Sequence, residues 1–237
     1  LFEQYEDVFI SPEFSVFYNQ LQTDASASST IKKMEGDYFT SAIGYSIISD
    51  KRDRKFQPTE GYRSNFYQNI PIVADVPAIV NGYRLSVYNS LSDDVIGSVK
   101  LYARSINGLD EDVRIGQRLH LPASLLKGFE PRKIGPKDGD DFVGGNYAAA
   151  LGFNASLPNL LPAGSNTDIN LFLDTGNVWH ADYSSTVGQS NKLRSAVGIS
   201  ANWFSPIGPF SFVFAQDITS SGTDVTESFR FQLGTTF

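Results

Sequence analysis

The chain of 237 residues contains no cysteine, which excludes a disulfide framework and any thiolate metal site. Charge is scarce, at 19% of residues, and its balance is acidic: 19 Lys and Arg stand against 26 Asp and Glu, a net charge of −7. A phosphate backbone needs a basic face, so a nucleic-acid partner is not expected. The two histidines, His120 and His180, are isolated and read as loop or surface residues. No nucleophile sits beside a base, no glycine loop is spaced to cradle phosphate, and no carboxylate pair has a role. Catalysis and cofactors are therefore not expected. The acidic run Asp138, Asp140 and Asp141 around Gly139 lacks the spaced ligand set of a calcium loop, so no metal is expected. Long apolar runs are missing as well: none approaches the roughly 18 residues that a spanning helix needs. A barrel strand needs only about 9–11 residues, half of them apolar, so this absence leaves strands as a route through a membrane.

Aromatic side chains are plentiful: 13% of residues, with 18 Phe and 11 Tyr against 2 Trp. The mean hydropathy of −0.19 is what the average of a lipid face and a wet face would give. Residues 227–237 read E-S-F-R-F-Q-L-G-T-T-F. Phe229, Phe231, Leu233 and Phe237 share one parity; Ser228, Arg230, Gln232, Gly234 and Thr236 share the other. A strand sends alternate side chains to opposite faces. This strand therefore has a greasy face and a polar face that carries a cation, which suits lipid on one side and water on the other.

Such alternation recurs along the chain between Gly, Pro, Asn, Asp and Ser clusters. Ten strands are expected, near residues 14–21, 38–49, 62–72, 79–89, 95–105, 147–157, 169–179, 196–204, 210–216 and 228–237, with a partial one around 8–10. No segment sustains a 3.6-residue period, so helix content should be low. Connections tend to alternate short and long, as in outer-membrane barrels, although 50–61 is long on the short side and 73–78 short on the long side. A soluble β-sandwich or lectin-like barrel also alternates. Its core would be poorly filled by the Gly, Ser, Asn, Arg and Lys of the polar parity, and Tyr147, Trp179 and Trp203 recur near strand ends, where an interfacial girdle would want them. The expected fold is all-β, an antiparallel transmembrane barrel spanning residues 1–237. The chain begins at Leu1 rather than Met and reads as a piece of something longer.

Residues 106–146 form the longest connection. Leu125, Leu126, Phe129, Ile134 and Phe142 are spread among turn formers, and a fully solvated loop has no use for five large apolar residues. The loop should fold back into the barrel interior.

The ordered set K-G-F-E-P-R-K-I-G-P, G-G-N, L-D-T-G-N-V-W, W-F-S-P-I-G-P and a terminal Phe resembles the barrel of the outer-membrane protein assembly factor family, the BamA type. The family barrel has sixteen strands preceded by periplasmic repeat domains, and this chain looks like its last ten strands, without the first strands and those domains. The resemblance implies a loop tip of Lys127, Gly128 and Phe129, continuing through Ile134, Gly135 and Pro136, that lies inside the barrel. The family has Arg where Lys127 stands, and Lys cannot make the bidentate fork. The implied acidic partner is Asp174, and a second family acid falls on Asn154. The resemblance further implies a bacterial outer-membrane location and client β-barrel proteins templated at the seam strand of Phe229, Phe231, Leu233, Gly234 and Phe237. Accessory lipoproteins would bind through the missing periplasmic domains. A polypeptide-exporting barrel of the same superfamily, of the two-partner secretion type, is the alternative. A passive porin fits less well, because of this loop's apolar content and its K-G-F tip.

Overall fold

The computed structural model describes residues 2–5, 7–27, 29–182, 187–188, 191–205 and 208–234. Strands dominate it: β1 (Phe2–Tyr5), β2 (Val8–Leu21), β3 (Gly36–Asp50), β4 (Gly61–Ala74), β5 (Ala78–Ser92), β6 (Val95–Gly108), the two-residue β7 (Lys137–Asp138) and β8 (Asp141–Phe142), then β9 (Tyr147–Leu157), β10 (Thr167–Trp179), β11 (Arg194–Ser205), β12 (Gly208–Thr219) and β13 (Phe229–Leu233). The one α-helix among the described residues, α1 (Ser29–Lys32), is a single turn. All strands except β7 and β8 join one antiparallel sheet in chain order, β1 at one edge and β13 at the other. The ten expected strands are present and an eleventh, β1, precedes them. The partial strand expected at 8–10 is the start of β2, which runs through without a break.

The alternation decides which face meets what. Ile43, Ile47, Val99, Phe153, Leu171, Leu173, Val197, Ile199 and Phe214 turn to the outer face and stay exposed there. An exposed apolar face of this kind is what a lipid-facing band requires. The alternate residues face inward; on β9 these are Ala148, Ala150, Gly152 and Asn154. A bulge between Ser41 and Ala42 shifts the register against β4, and Ile72 and Val73 are both exposed there.

Aromatics mark both ends of the band. Trp179 pairs across the ladder with Tyr147, ring centroids 5.8 Å apart. At the opposite end Trp203 pairs with Phe210, ring centroids 5.3 Å apart. Trp203 also sits opposite Thr167, the first residue of β10, whose last is Trp179. Twelve strand steps of about 3.3 Å are about 40 Å, and a tilt of about 40° brings this to about 30 Å of membrane normal. That is the thickness of a bilayer's hydrocarbon core.

The connections keep both expected exceptions: ten residues, 51–60, on the side of the two-residue turn at 93–94, and three residues, 75–77, on the side of the long loops. The long loop lies on the inner face of β6, β9, β10 and β11. Its Val113, Leu119, Leu121, Leu126, Phe129 and Ile134 are buried with Tyr102, Ile106, Ala148, Ala150, Val178 and Ala196 of the wall.

Candidate functional site

The loop reaches the wall because its backbone can turn where side chains cannot. Gly128 has φ +88°, and a Cβ there would lie 2.8 Å from the Cβ of Ala196. Only glycine combines that left-handed conformation with so close an approach. The tip is thus pressed against β11, with Lys127 held beside β10. Its Nζ lies 2.7 Å from Oδ2 of Asp174, and its backbone N–H donates to the same oxygen at 3.1 Å. The ammonium also stands 4.2 Å from the centre of the Phe172 ring, and Phe172 faces inward two residues before Asp174 on β10. Asp174 is 1% exposed. Lysine delivers a single point charge here, and the ring takes up part of the desolvated ammonium.

The remaining expected tip residues continue this packing. Phe129 is 2% exposed and Ile134 is buried. Gly135, with φ +95°, leaves 3.0 Å between a hypothetical Cβ and Val178. Pro136 is fully buried, and its carbonyl accepts a hydrogen bond from the N–H of Val143 at 3.0 Å. Leu125 and Phe142 are only half-buried. Asn154 faces the same interior but lies opposite Phe172 in register, whereas Gly152 lies opposite Asp174; among the described residues it makes no hydrogen bond to the tip. The structure therefore joins Lys127 to Asp174 and leaves Asn154 aside. The acidic run forms a small hairpin, Asp138 paired with Asp141 across Gly139 and Asp140. His120 is half-buried in the loop, where burial and then the charge of Arg132 push its pKa down to about 4.

Three arginine sites that sequence reasoning did not assign hold the loops together. Arg230 of β13 was legible as the cation of the polar face, but not its partners. Its guanidinium donates to Oε2 of Glu227 (2.7 Å from Nε), to the carbonyl of Ala123 (3.1 Å from Nη1) and to the carbonyl of Phe129. Arg194, fully buried, grips Asp224 with two hydrogen bonds of 2.9 Å and also donates to Asn177. Arg118 donates to Asn146 at 2.7 Å and to Asp182. Burial pushes the Asp182 carboxyl up, but hydrogen bonds from Asn146 and Arg118 outweigh it and hold the pKa below the ordinary carboxylate value. Apart from Glu227, three residues before Arg230, the partners named are main-chain carbonyls or side chains far away in the chain, so little in the local sequence marks these sites.

Among the described residues β13 pairs with β12 from Phe229 to Leu233, and Gly234 stands at φ +111°. The last part of the expected terminal strand, residues 235–237 with Phe237, lies outside the described residues. Ala215 N–H donates to the carbonyl of Ser228, and Gly234 N–H to that of Pro209, both at 2.9 Å. These bonds set the phase of the ladder. The even-numbered residues turn their main-chain groups to β12, and Phe229, Phe231 and Leu233 turn theirs to the other edge, where no strand sits among the described residues.

Residues 3–237 match the Omp85 superfamily domain. The chain is 25% identical over 239 residues to the outer membrane protein assembly factor BamA of Neorickettsia risticii, covering 98% of this chain and 32% of that protein. It is 31% identical over 143 residues to BamA of Neisseria meningitidis serogroup B, covering 47% of this chain and 17% of that one. The sorting assembly machinery 50 kDa subunit of Saccharomyces cerevisiae is 26% identical, over 89% of this chain and 46% of its own length. In fold, the chain resembles the crystal structure of Haemophilus ducreyi BamA lacking POTRA domains 1–3, with a TM-score of 0.82 at 20% identity, over 96% of this chain and 51% of that one. The chain thus spans from about a sixth to about half of the length of these proteins.

Proposed function

The chain belongs to the Omp85 superfamily, and from that premise we propose that it is the carboxy-terminal part of an outer-membrane protein assembly barrel, templating client β-barrels at the seam that ends in β13. Its place is the bacterial outer membrane. The observation that supports the reading is the ladder phase of β13, which turns the main-chain groups of Phe229, Phe231 and Leu233 away from β12 and toward the seam. Unpaired backbone groups are costly in lipid, so a nascent barrel needs its own edge covered as it inserts. An exposed strand edge is a template for such a strand. No covalent step is involved.

In this reading the loop of residues 106–146 lies in the lumen. Lys127, Gly128 and Phe129, seated on Asp174, brace the wall nearest the seam. The first strands of a sixteen-stranded barrel and the periplasmic repeats that would dock accessory lipoproteins belong to the parent protein. Relatives that carry the name of assembly factor support assembly over polypeptide export.

The test is client insertion. Liposomes holding the full-length protein are given an unfolded small barrel, and conversion to its heat-modifiable folded form is followed. Faster conversion than in empty liposomes is expected. Equal rates, or passage of a partner polypeptide through the membrane without its insertion, would sink the assembly reading.

A further inference from the structure

We infer that Arg230 is a positioning residue that couples the loop tip to the terminal strand, so that β13 and the tip move as one body. This rests on the assembly reading for its purpose, but its geometry stands alone. Arg230 lies on β13, opposite Val213 of β12, and only 7% of it is exposed. Its side chain leaves the strand on the inner face and spends its donors on the loop: the carbonyls of Ala123 and Phe129 flank the tip on both sides of Lys127 and Gly128. Its charge is met by Glu227, three residues earlier, with Nη2 and Oε2 2.6 Å apart.

A second set of contacts joins the same two bodies. Phe129 and Thr226 form an antiparallel bridge. It is flanked by Glu227 N–H donating to the carbonyl of Gly128 at 3.0 Å and Glu130 N–H donating to that of Val225 at 2.9 Å. Val225 N–H in turn donates to the carbonyl of Lys133 at 3.1 Å. The loop therefore forms a short ladder with the segment that leads into β13, and Arg230 clamps it from the strand. Among the described residues β13 pairs with β12 from Phe229 to Leu233, with flanking bonds at Ser228 and Gly234. The coupling to the loop adds a second attachment of the terminal strand. Withdrawing β13 from β12 requires either that these loop contacts break or that the tip travels with the strand, which would pull Lys127 from Asp174.

These 237 residues contain no cysteine, so the coupling is testable in the full-length protein once any cysteine elsewhere in it is replaced. Glu130 and Val225 are exposed partners beside the bridge, where antiparallel Cα atoms lie about 4.5–5.5 Å apart, within disulfide range. The double variant E130C/V225C should close a disulfide under mild oxidation. Adding R230M should lower that yield at least threefold, and R230K, which keeps the charge but not the fork, should fall between. Equal yields in all three would overturn the coupling. Should R230M fail to reach the heat-modifiable form, the functional arm decides with Arg230 intact. Oxidised E130C/V225C should insert clients several-fold more slowly, and reductant should restore the rate; wild-type insertion by the oxidised form would overturn a role for the coupling in assembly. If even the reduced protein inserts no client, the assembly reading fails and the disulfide yields still decide the coupling.

Discussion

Lys127 and Asp174 form a pair almost wholly withdrawn from water, with side-chain exposures of 13% and 2%. In such a place the attraction between partners is offset by the cost of stripping both of water. The pair need not add much stability over an apolar substitute, yet losing one partner strands the other. Lys127→Ala would leave a buried carboxylate with the 127 backbone N–H and the more distant charge of Lys100; Asp174→Ala would leave an ammonium facing the Phe172 ring and the Ser124 carbonyl. Each single variant should cost about 2–4 kcal/mol, and the double variant should cost no more than the worse single. Urea midpoints of the full-length protein, read by loss of heat modifiability, would give the cycle. Additive losses would mean that the two groups act separately.

At the scale of the element, β13 offers a cleaner experiment than its side chains suggest. Phe231 packs its ring against Phe210 and Phe212, but its N–H points away from β12. Proline removes that N–H and is tolerated at an edge. Phe231→Pro and Phe231→Ala lose the same ring contacts and differ in one edge donor. If β13 templates clients, the proline variant should insert them about fivefold more slowly than the alanine variant, as expected for one hydrogen bond worth about 1 kcal/mol. Equal rates would remove this edge from the mechanism. The strands themselves were legible because their alternation is long: β9 was read to the residue. β1, four residues long, has too few positions to show a period. Lys127 and Asp174, 47 residues apart, could be joined only through the family resemblance. Besides Glu227, the partners of Arg230 are main-chain carbonyls, and a carbonyl leaves no mark in a sequence.

For the whole molecule, the outward face and its two aromatic ends make a claim about depth. Trp179 and Trp203 sit at opposite ends of the band, about 30 Å apart along the membrane normal by the strand count given above. Both share the parity of Leu171, Leu173, Val197 and Ile199, so both rings look outward. A soluble sandwich would bury such residues in its core, and lipid would never touch them. A membrane barrel holds them at the two interfaces, where an amphipathic indole is best solvated. The full-length protein can be reduced to one tryptophan at a time, 179 or 203, and reconstituted with brominated lipids. Both indoles should be quenched, and each more strongly by bromine near the headgroup than by bromine near the chain end. The two sites should respond alike, because each lies near its own interface. Quenching strongest from the chain ends would put the aromatic rows at the bilayer centre and break the match between band height and membrane. An absence of quenching at both sites would remove the outer face from lipid, and with it the need for a templated edge.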